Sequence, residues 1–542
     1  MKFWAALRQV IANPSLRRLQ LAWVTGIAAE KAYLVALLVY AYDIGGVVAV
    51  GIFTMLSSLP AGLFGPILSS VGESFPPTRV LLGLHVGRAA VVALAAASIA
   101  ADAGMGIIVA AAIVEGVLTR QHTAFTRALL PALARTPDEL IAGNAVTSLG
   151  EAIGSLIGPA VAGAILVAGG PTLALGVAAG AYLVAAGLVL TLRVVTVARP
   201  VVAGAGARLL EVIGGFRALV HHRAAGLLVS LFIGQVVVRG ALTVLIVSAA
   251  IELLGTGDAG VGYLNAAIGA GGLVGAVLAM TLVVGRSLSL SFAVSLAAWG
   301  APIAIIGAVP DPGLALVMAG VIGAANASID VAGYTLLARC VPNEVRGRVF
   351  GVLQSLAGFG IAAGALAAPT LVELAGLAGA LIVTGLVLPV IAVVTLGGVR
   401  RAEASAILPE RELSVMRGIP MFAPLPLTAL EHLARSLERV ERAAGERVIT
   451  QGEPGDAFYL IERGRVEIVH DGHREATLGP GDGFGEIALL GDRPRTASVV
   501  VLEPLVGFRL PREPFLEAVT GSPHSVLAAD EMMSRRLAEL GH

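Results

Sequence analysis

Two groups of residues in this 542-residue sequence have the types and spacing to do chemistry. The first is Gly485-Glu486-Ile487-Ala488, with Arg495 returning nine residues after Glu486. A short helix opened by that glycine would turn free backbone N–H groups toward an anion, and the arginine would supply the counter-charge. The second is a set of four charged residues, Glu30, Glu115, Arg239 and Asp330, each set in a long apolar run. If those runs cross a bilayer, a charge near the middle costs at least about 2.5–3.5 kcal/mol, so each needs a reason.

The elements that must position these residues follow from composition. The chain is 56% hydrophobic and 14% charged, which excludes an ordinary soluble enzyme. Apolar stretches of membrane length recur from Leu19 almost to Leu396. The 37 basic and 37 acidic residues cancel, so no global field points to nucleic acid as a partner. They are unevenly spread: 35 lie in residues 1–399 and 39 in residues 400–542, marking the latter as a separate soluble module. The single cysteine, Cys340, excludes an internal disulfide and a Cys-cluster zinc site, and no metal is expected. With 68 glycines and arginine in place of nearly all lysine, the composition suggests a GC-rich bacterial genome.

Turn signals such as Asp43-Ile-Gly-Gly46, Gly169-Gly-Pro171, Val309-Pro-Asp-Pro-Gly313 and Ala375-Gly376 divide the apolar region into twelve predicted spans. The expected organisation is a twelve-span domain over 1–398, a linker over 399–418 and the soluble module over 419–542. The membrane domain is read as halves 1–196 and 224–398 joined by a cytoplasmic segment 197–223. Arginines cluster on one side only, at Arg79, Arg135, Arg193–Arg199, Arg286, Arg339, Arg346 and Arg400, whereas the opposite turns carry Asp43, Asp102, Asp258 and Asp311. The positive-inside rule then places both termini in the cytoplasm of a multi-pass protein of a bacterial inner membrane.

An internal repeat links the halves. Ala134-Arg-Thr-Pro-Asp-Glu139, followed by Gly154-x-x-x-Gly158-Pro159, returns about 205 residues later as Ala338-Arg-Cys-Val-Pro-Asn-Glu344 and Gly360-x-x-x-Gly364. A six-plus-six arrangement is how many secondary transporters build a midplane site. Over residues 15–398 the chain resembles the major facilitator superfamily, in its bacterial exporter-like branch. Gly154, Gly158, Pro159 and Gly163 resemble that superfamily's antiporter motif, although four-residue glycine spacing also serves tight helix packing. The family's other signature, after the second span, is degraded: Ser69 and Ser70 stand at its Asp and Arg places.

The resemblance implies that the first, fourth, seventh and tenth spans line a central cavity, which are the spans carrying Glu30, Glu115, Arg239 and Asp330. As a transport site, Arg239 would pair with one carboxylate while another, desolvated acid exchanges protons. As a structural bridge, Arg239 and two acids would tie the halves together. Three acids against one arginine favour a cationic or amphipathic cargo. Lys31, about 100° around the helix from Glu30, is expected to pair elsewhere. Glu151 and Arg120 are expected to form a buried pair. Tyr33, Tyr40, Gln235, Asn265 and Asn326 are candidates for the pocket or for interhelical hydrogen bonds.

Beyond Arg401 the pattern changes to short strands at Val440–Ile449, Phe458–Ile461, Val466–Val469 and Ser498–Leu502, with helices over 427–439, 512–519 and 524–540. Residues 419–520, through Ile419-Pro-Met-Phe422, Gly452-x-x-Gly455-Asp456 and Gly483 to Ser498, resemble the cyclic nucleotide-binding domain of Crp-type regulators. That resemblance implies a β-barrel with flanking helices and assigns roles. Arg495 would hold the cyclic phosphate and Glu486 the ribose 2′-hydroxyl. Backbone N–H groups of Ile487, Ala488 and Ala497 would complete the cradle begun at Gly485, and Thr496 would stand where a hydroxyl reaches a syn guanine. The ligand is expected to be cAMP, with cGMP the alternative, and Met532, Met533 or Arg535 would cap the base. No covalent cofactor is implied.

The resulting expectation is a proton-coupled exporter of a small molecule regulated by cyclic nucleotide. Its rivals are an unregulated carrier with a docking tail and a membrane-anchored receptor that does not transport. An enzyme is not expected, since no Walker loop, zinc-ligand pair or nucleophile elbow occurs in the cytoplasmic segments.

Overall fold

The computed structural model describes residues 3–73, 75–192, 217, 219, 222–282, 287–341, 343–404, 410–425, 427–491, 493–520, 525, 528–529, 531–532 and 534. The chain divides into two compact units, residues 1–135 with 142–406, and residues 407–542 with 136–141. Most of the predicted segment 197–223, and Met533 and Arg535, lie outside the described residues.

The first unit is helical: α1 Phe3–Ala12, α2 Pro14–Glu73, α3 Pro77–Ala100, α4 Met105–Leu133, α5 Pro137–Leu190, α6 Arg223–Ser248, α7 Gly257–Leu282, α8 Leu288–Ala308, α9 Pro312–Cys340 and α10 Asn343–Ala404. Among the described residues, eight helices are long and apolar enough to cross a membrane. Three of them, in α2, α5 and α10, are each two spans joined across a break at Gly45-Gly46, Gly169-Gly170 and Gly376. At these breaks Gly46, Gly170 and Gly376 take φ of +57°, +65° and +69°, which a side chain would resist. Resolving the breaks, and adding α4, whose polar residues lower its hydropathy, yields the twelve predicted spans.

The repeat appears in the packing. A Cβ on Gly154 would stand 2.7 Å from the Ile27 side chain in the first span, and one on Gly360 would stand 3.1 Å from Val236 in the seventh. Gly158 and Gly364 meet the same two spans one turn further along, through the backbone of Ala28 and of Val237. A Cβ on Gly163, on the opposite side of the helix, would instead stand 2.8 Å from the Ala259 carbonyl of α7, so glycines on two faces serve two neighbours. At the end of α10, Glu403 accepts from the Leu288 and Ser289 N–H groups at 2.7 and 3.2 Å, and from the Ser287 hydroxyl at 2.6 Å. A carboxylate distant in sequence thereby caps the first turn of α8.

In the second unit, α11 Glu410–Arg417 and α12 Leu427–Ala434 precede strands β1 Glu438–Arg442, β2 Arg447–Ile449, β3 Ala457–His470, β4 His473–Leu478, β5 Gly483–Phe484 and β6 Ser498–Pro511. Between β5 and β6 lies the short α13 Glu486–Leu490, and α14 Arg512–Thr520 follows. The antiparallel sheet runs β1-β6-β3-β4, with β2 also on β6 and β5 on β3. Two apolar clusters hold it, one around Phe422, Phe458 and Phe515, the other around Ile461, Phe484 and Val501.

Four expectations change here, the first being that the predicted strands Phe458–Ile461 and Val466–Val469 are one continuous strand, β3. The predicted helix 427–439 ends at Ala434, because residues from Glu438 pair with β6 as a strand. The predicted strand Val440–Ile449 is two strands parted at Gly445. The predicted linker 399–418 includes the end of α10, to Ala404, and all of α11; residues 405–409 lie outside the described residues.

Candidate functional site

The second unit has a pocket between the sheet and α13. Gly485, Glu486, Ile487, Ala488, Arg495, Thr496 and Ala497, all seven residues read from the sequence, line it together. Gly485 caps α13 with φ +99° and ψ 1°, a left-handed turn that lets the strand β5 pass directly into the helix. A Cβ there would sit 2.7 Å from Arg495 Nη1. Gly485→Ala is therefore expected to lower ligand affinity at least about tenfold and to destabilise the domain by about 1–2 kcal/mol. Calorimetric titration and thermal melting of the variant would measure both.

Arg495 is buried, and protein acceptors set its direction. Its Nη1 donates to the Gly485 carbonyl at 2.9 Å, and its Nη2 donates to the Ala457 carbonyl and to Asp456 Oδ1, each at 2.8 Å. Its backbone is pinned as well, with its N–H on the Glu453 carbonyl and its carbonyl accepting from Gly452. Asp456 also accepts from Arg509 at 2.9 Å, and Arg509 reaches Glu438 at 2.7 Å. Burial pushes the Asp456 carboxyl up, but the hydrogen bonds from Arg509 and Arg495 outweigh it and hold the group below its usual range. A depressed carboxylate stabilises the fold above the unfolded value of about 3.9 and loses that contribution as pH falls through the folded value. Asp456→Asn is expected to flatten the acid limb of the domain's stability below about pH 4. Chemical denaturation at a series of pH values would show whether that limb persists.

Glu486 is 1% exposed, a deep position for an acid, and the opposite wall is apolar, formed by Ile449, Ile468, Leu478 and Val499. Glu475 and Ala476 of β4 also line the pocket; their place follows from strand pairing, which carries no local motif. Met532 is buried in the cluster around Phe458, not displayed at the pocket.

In the membrane unit the four predicted charges separate into two sites. Glu30 and Glu115 converge on Arg88 of α3, which is fully buried and was not anticipated. Arg88 Nη2 lies 2.6 Å from Glu115 and 3.2 Å from Glu30; it also donates to Thr119 at 2.9 Å, and the guanidinium sits 4.4 Å from the Tyr182 ring centroid. Lys31, expected to pair elsewhere, reaches Glu30 at 2.8 Å because its long side chain bends back along the helix. An arginine within the apolar run of the third span was legible by the same depth rule that marked the others.

Arg239 and Asp330 line a separate cavity of about 180 Å³ with Phe232, Gln235, Tyr334 and Gln354. Arg239 does not pair with a carboxylate: it donates to Asn326 Oδ1, while Asn326 Nδ2 donates to Asp330 at 3.2 Å. The expected acidic surplus is largely offset, since Arg88 and Lys31 balance Glu30 and Glu115. Glu151 is exposed, where a buried position was expected, and lies within electrostatic reach of Lys31 and Asp330; the side chain of its expected partner Arg120 is outside the described residues, as are those of Ser69 and Ser70. Asn265 bonds its own helix at the Val261 carbonyl, and Tyr33 is buried.

Comparison with known proteins finds separate matches for the two parts of the chain. Residues 286–438 match the Major Facilitator Superfamily and residues 439–521 the cyclic nucleotide-binding domain. The chain is 38% identical over 104 residues to a cAMP-dependent protein kinase regulatory subunit of Yarrowia lipolytica, which covers 19% of this chain and 28% of that protein. It is 40% identical over 112 residues to the acetyltransferase Pat of Mycolicibacterium smegmatis, covering 20% of this chain and 34% of that one. The chain thus spans about a third or less of these curated relatives. In fold, the nucleoside transporter NupG superposes with a TM-score of 0.59 at 14% identity, over 71% of this chain and 99% of its own. The chain is therefore similar to the Major Facilitator Superfamily over residues 286–438 and to the cyclic nucleotide-binding domain over residues 439–521, and its helical unit shares the fold of NupG.

Proposed function

We propose that the protein is a secondary active transporter, and not an enzyme, whose activity is set by cAMP or cGMP bound to its carboxy-terminal domain. The observation that carries this reading is the convergence of Arg495 with Gly485–Ala488 in one pocket, in the same chain as a membrane fold with charges at mid-depth. Within the pocket, Arg495 would meet the cyclic phosphate, Glu486 the ribose hydroxyl, and the N–H groups of Ile487, Ala488 and Ala497 the remaining phosphate oxygens. Thr496 is the residue through which cGMP would compete with cAMP.

Transport is read as proton-coupled export of a small amphipathic molecule from a bacterial cytoplasm. Asp330 is the acid best suited to carry the proton, because Glu30 and Glu115 are held by Arg88 and Lys31 while Asp330 meets an amide. Gly154, Gly158, Pro159 and Gly163 would serve the exchange by letting the fifth span slide on its neighbours. Regulation requires the nucleotide to bind differently to the inward-open and outward-open states, since an indifferent ligand shifts nothing.

Calorimetry of the full chain in detergent with cAMP and cGMP tests the regulatory part, with affinity of about micromolar expected for one of them, near −8 kcal/mol. Absence of binding by both to folded protein would remove it. Proteoliposomes carrying an internal pH dye test the coupling: cargo-dependent proton movement should disappear in Asp330→Asn. Proton movement that survives the change would refute the assignment.

A further inference from the structure

The cavity shared by Arg239 and Asp330 is built differently from the Arg88 site, and the difference points to its ligand. At the Arg88 site in the amino-terminal half each charge is answered: Arg88 by Glu30 and Glu115, and Glu30 again by Lys31. In the carboxy-terminal half a guanidinium and a carboxylate face one cavity, yet no ion pair within 4 Å joins them. A single amide, Asn326, accepts from one and donates to the other. Opposite charges at mid-membrane depth would ordinarily close on each other, because each is costly alone. Here the helices hold them apart, with Arg239 and Gln235 on α6, Asp330 and Tyr334 on α9, and Gln354 on α10.

We propose that this cavity takes a small zwitterion bearing an apolar or aromatic group, of amino-acid size, with its anionic group on Arg239 and its cationic group on Asp330. The proposal rests on the transporter reading and names the class of cargo. Arg239 offers a planar fork suited to a carboxylate. Asp330, with Glu151 in electrostatic reach, offers negative charge to an ammonium. Tyr334, close to both, is stacked on Phe232 with ring centroids 5.0 Å apart, and these two rings form the wall for the apolar group. Gln235 and Gln354 supply amides to either end. The volume, about 180 Å³, is below the roughly 300 Å³ or more of drug-sized sites. A simple cation would leave Arg239 unanswered and a simple anion would leave Asp330 so, which is why a ligand carrying both charges fits best.

The test uses the purified full chain in detergent and phenylalanine, tyrosine and tryptophan as probes. Each is set beside its methyl ester, which keeps only the positive charge, and its N-acetyl form, which keeps only the negative. At least one free amino acid is expected to bind at about millimolar or better, with both single-charge forms at least about tenfold weaker. Arg239→Gln should erase the discrimination against the ester, and Asp330→Asn the discrimination against the N-acetyl form. In melting experiments neither substitution should lower Tm by more than about 2 °C, since no ion pair is broken. An ester that binds as tightly as its parent, no binding by any of the three amino acids, or a Tm fall of about 10 °C in either variant, as for a broken structural bridge, would overturn the proposal. Zwitterion binding without flux in proteoliposomes would instead refute the transporter reading and leave the ligand class standing. Flux of a cation unaffected by excess zwitterion would do the reverse.

Discussion

Replacing Arg495 with alanine is expected to abolish cyclic nucleotide binding, lowering affinity by about a hundredfold or more, because the cation opposite the phosphate is lost and the backbone N–H groups left to meet it carry no net charge. The effect should exceed that of any other single change in the pocket. Arg495 is also held by Gly485, Ala457 and Asp456, so alanine leaves two buried carbonyls without their donor. Asp456, by contrast, keeps Arg509. A fall in domain stability of about 1–3 kcal/mol should accompany the loss of binding. Arg495→Lys separates the two consequences, since it restores the charge but not the fork. Calorimetry with cAMP and cGMP, run beside thermal melts of each variant, would read both. Binding retained within a few-fold in Arg495→Ala would show that the pocket holds its anion by other means, and the phosphate assignment would fail.

The second large effect is expected at Arg88. Arg88→Gln should destabilise the membrane domain by about 3–5 kcal/mol, since it leaves Glu115 and Glu30 as buried acids whose common partner is gone. Lys31 compensates only Glu30, and Tyr182 and Thr119 donate to Glu115 without neutralising it. The expected outcome is poor recovery of monodisperse protein, with a strongly lowered Tm in what is recovered. The double change Arg88→Gln with Glu115→Gln should recover part of the loss, because it removes the uncompensated buried charge and leaves two neutral amides able to hydrogen-bond to each other. If Arg88→Gln melts like the parent protein but loses flux, the cluster belongs to the transport cycle and is not a structural bridge. The contrast with Arg239→Gln, for which almost no loss of stability is expected, makes the pair of variants a direct comparison of an answered and an unanswered charge.

The two smaller effects, at Gly485 and Asp456, concern how Arg495 is aimed. Gly485 reaches it within one short stretch of chain, whereas Asp456 does so only because the chain folds back through β3. Asp456 lies thirty-nine positions before Arg495 and meets it through its side chain, with nothing between them to announce the contact.

Legibility in the sequence varied with the range of the interaction. The spans were readable because burying backbone in lipid requires about 20 consecutive apolar residues per helix, and breaks at Gly46, Gly170 and Gly376 require a backbone that a side chain would obstruct. The anion pocket was readable for a related reason. Gly485 to Ala488 and Arg495 lie within one short stretch, so spacing alone brought them close to their final arrangement. Where the chain turns from helix to strand after Ala434 was less clear, since Leu437–Arg442 suits either until β6 is present to pair with it.

The partners of the charges were a different matter. Depth marked Glu30, Glu115, Arg239 and Asp330, but a position along a helix does not state its rotation or its neighbours. Rotation and packing of α3 against α4 bring Arg88 to Glu115, and the flexible stem of Lys31 reaches Glu30 despite the turn of the helix between them. Asn326 stands one helical turn before Asp330, and this, with the approach of α6 to α9, converts an expected ion pair into an amide bridge across a cavity. Local chemistry and hydrophobic length are properties of contiguous residues and belong to the sequence. Which charge meets which is set by the approach of helices far apart in the chain, and that became visible only once they were packed.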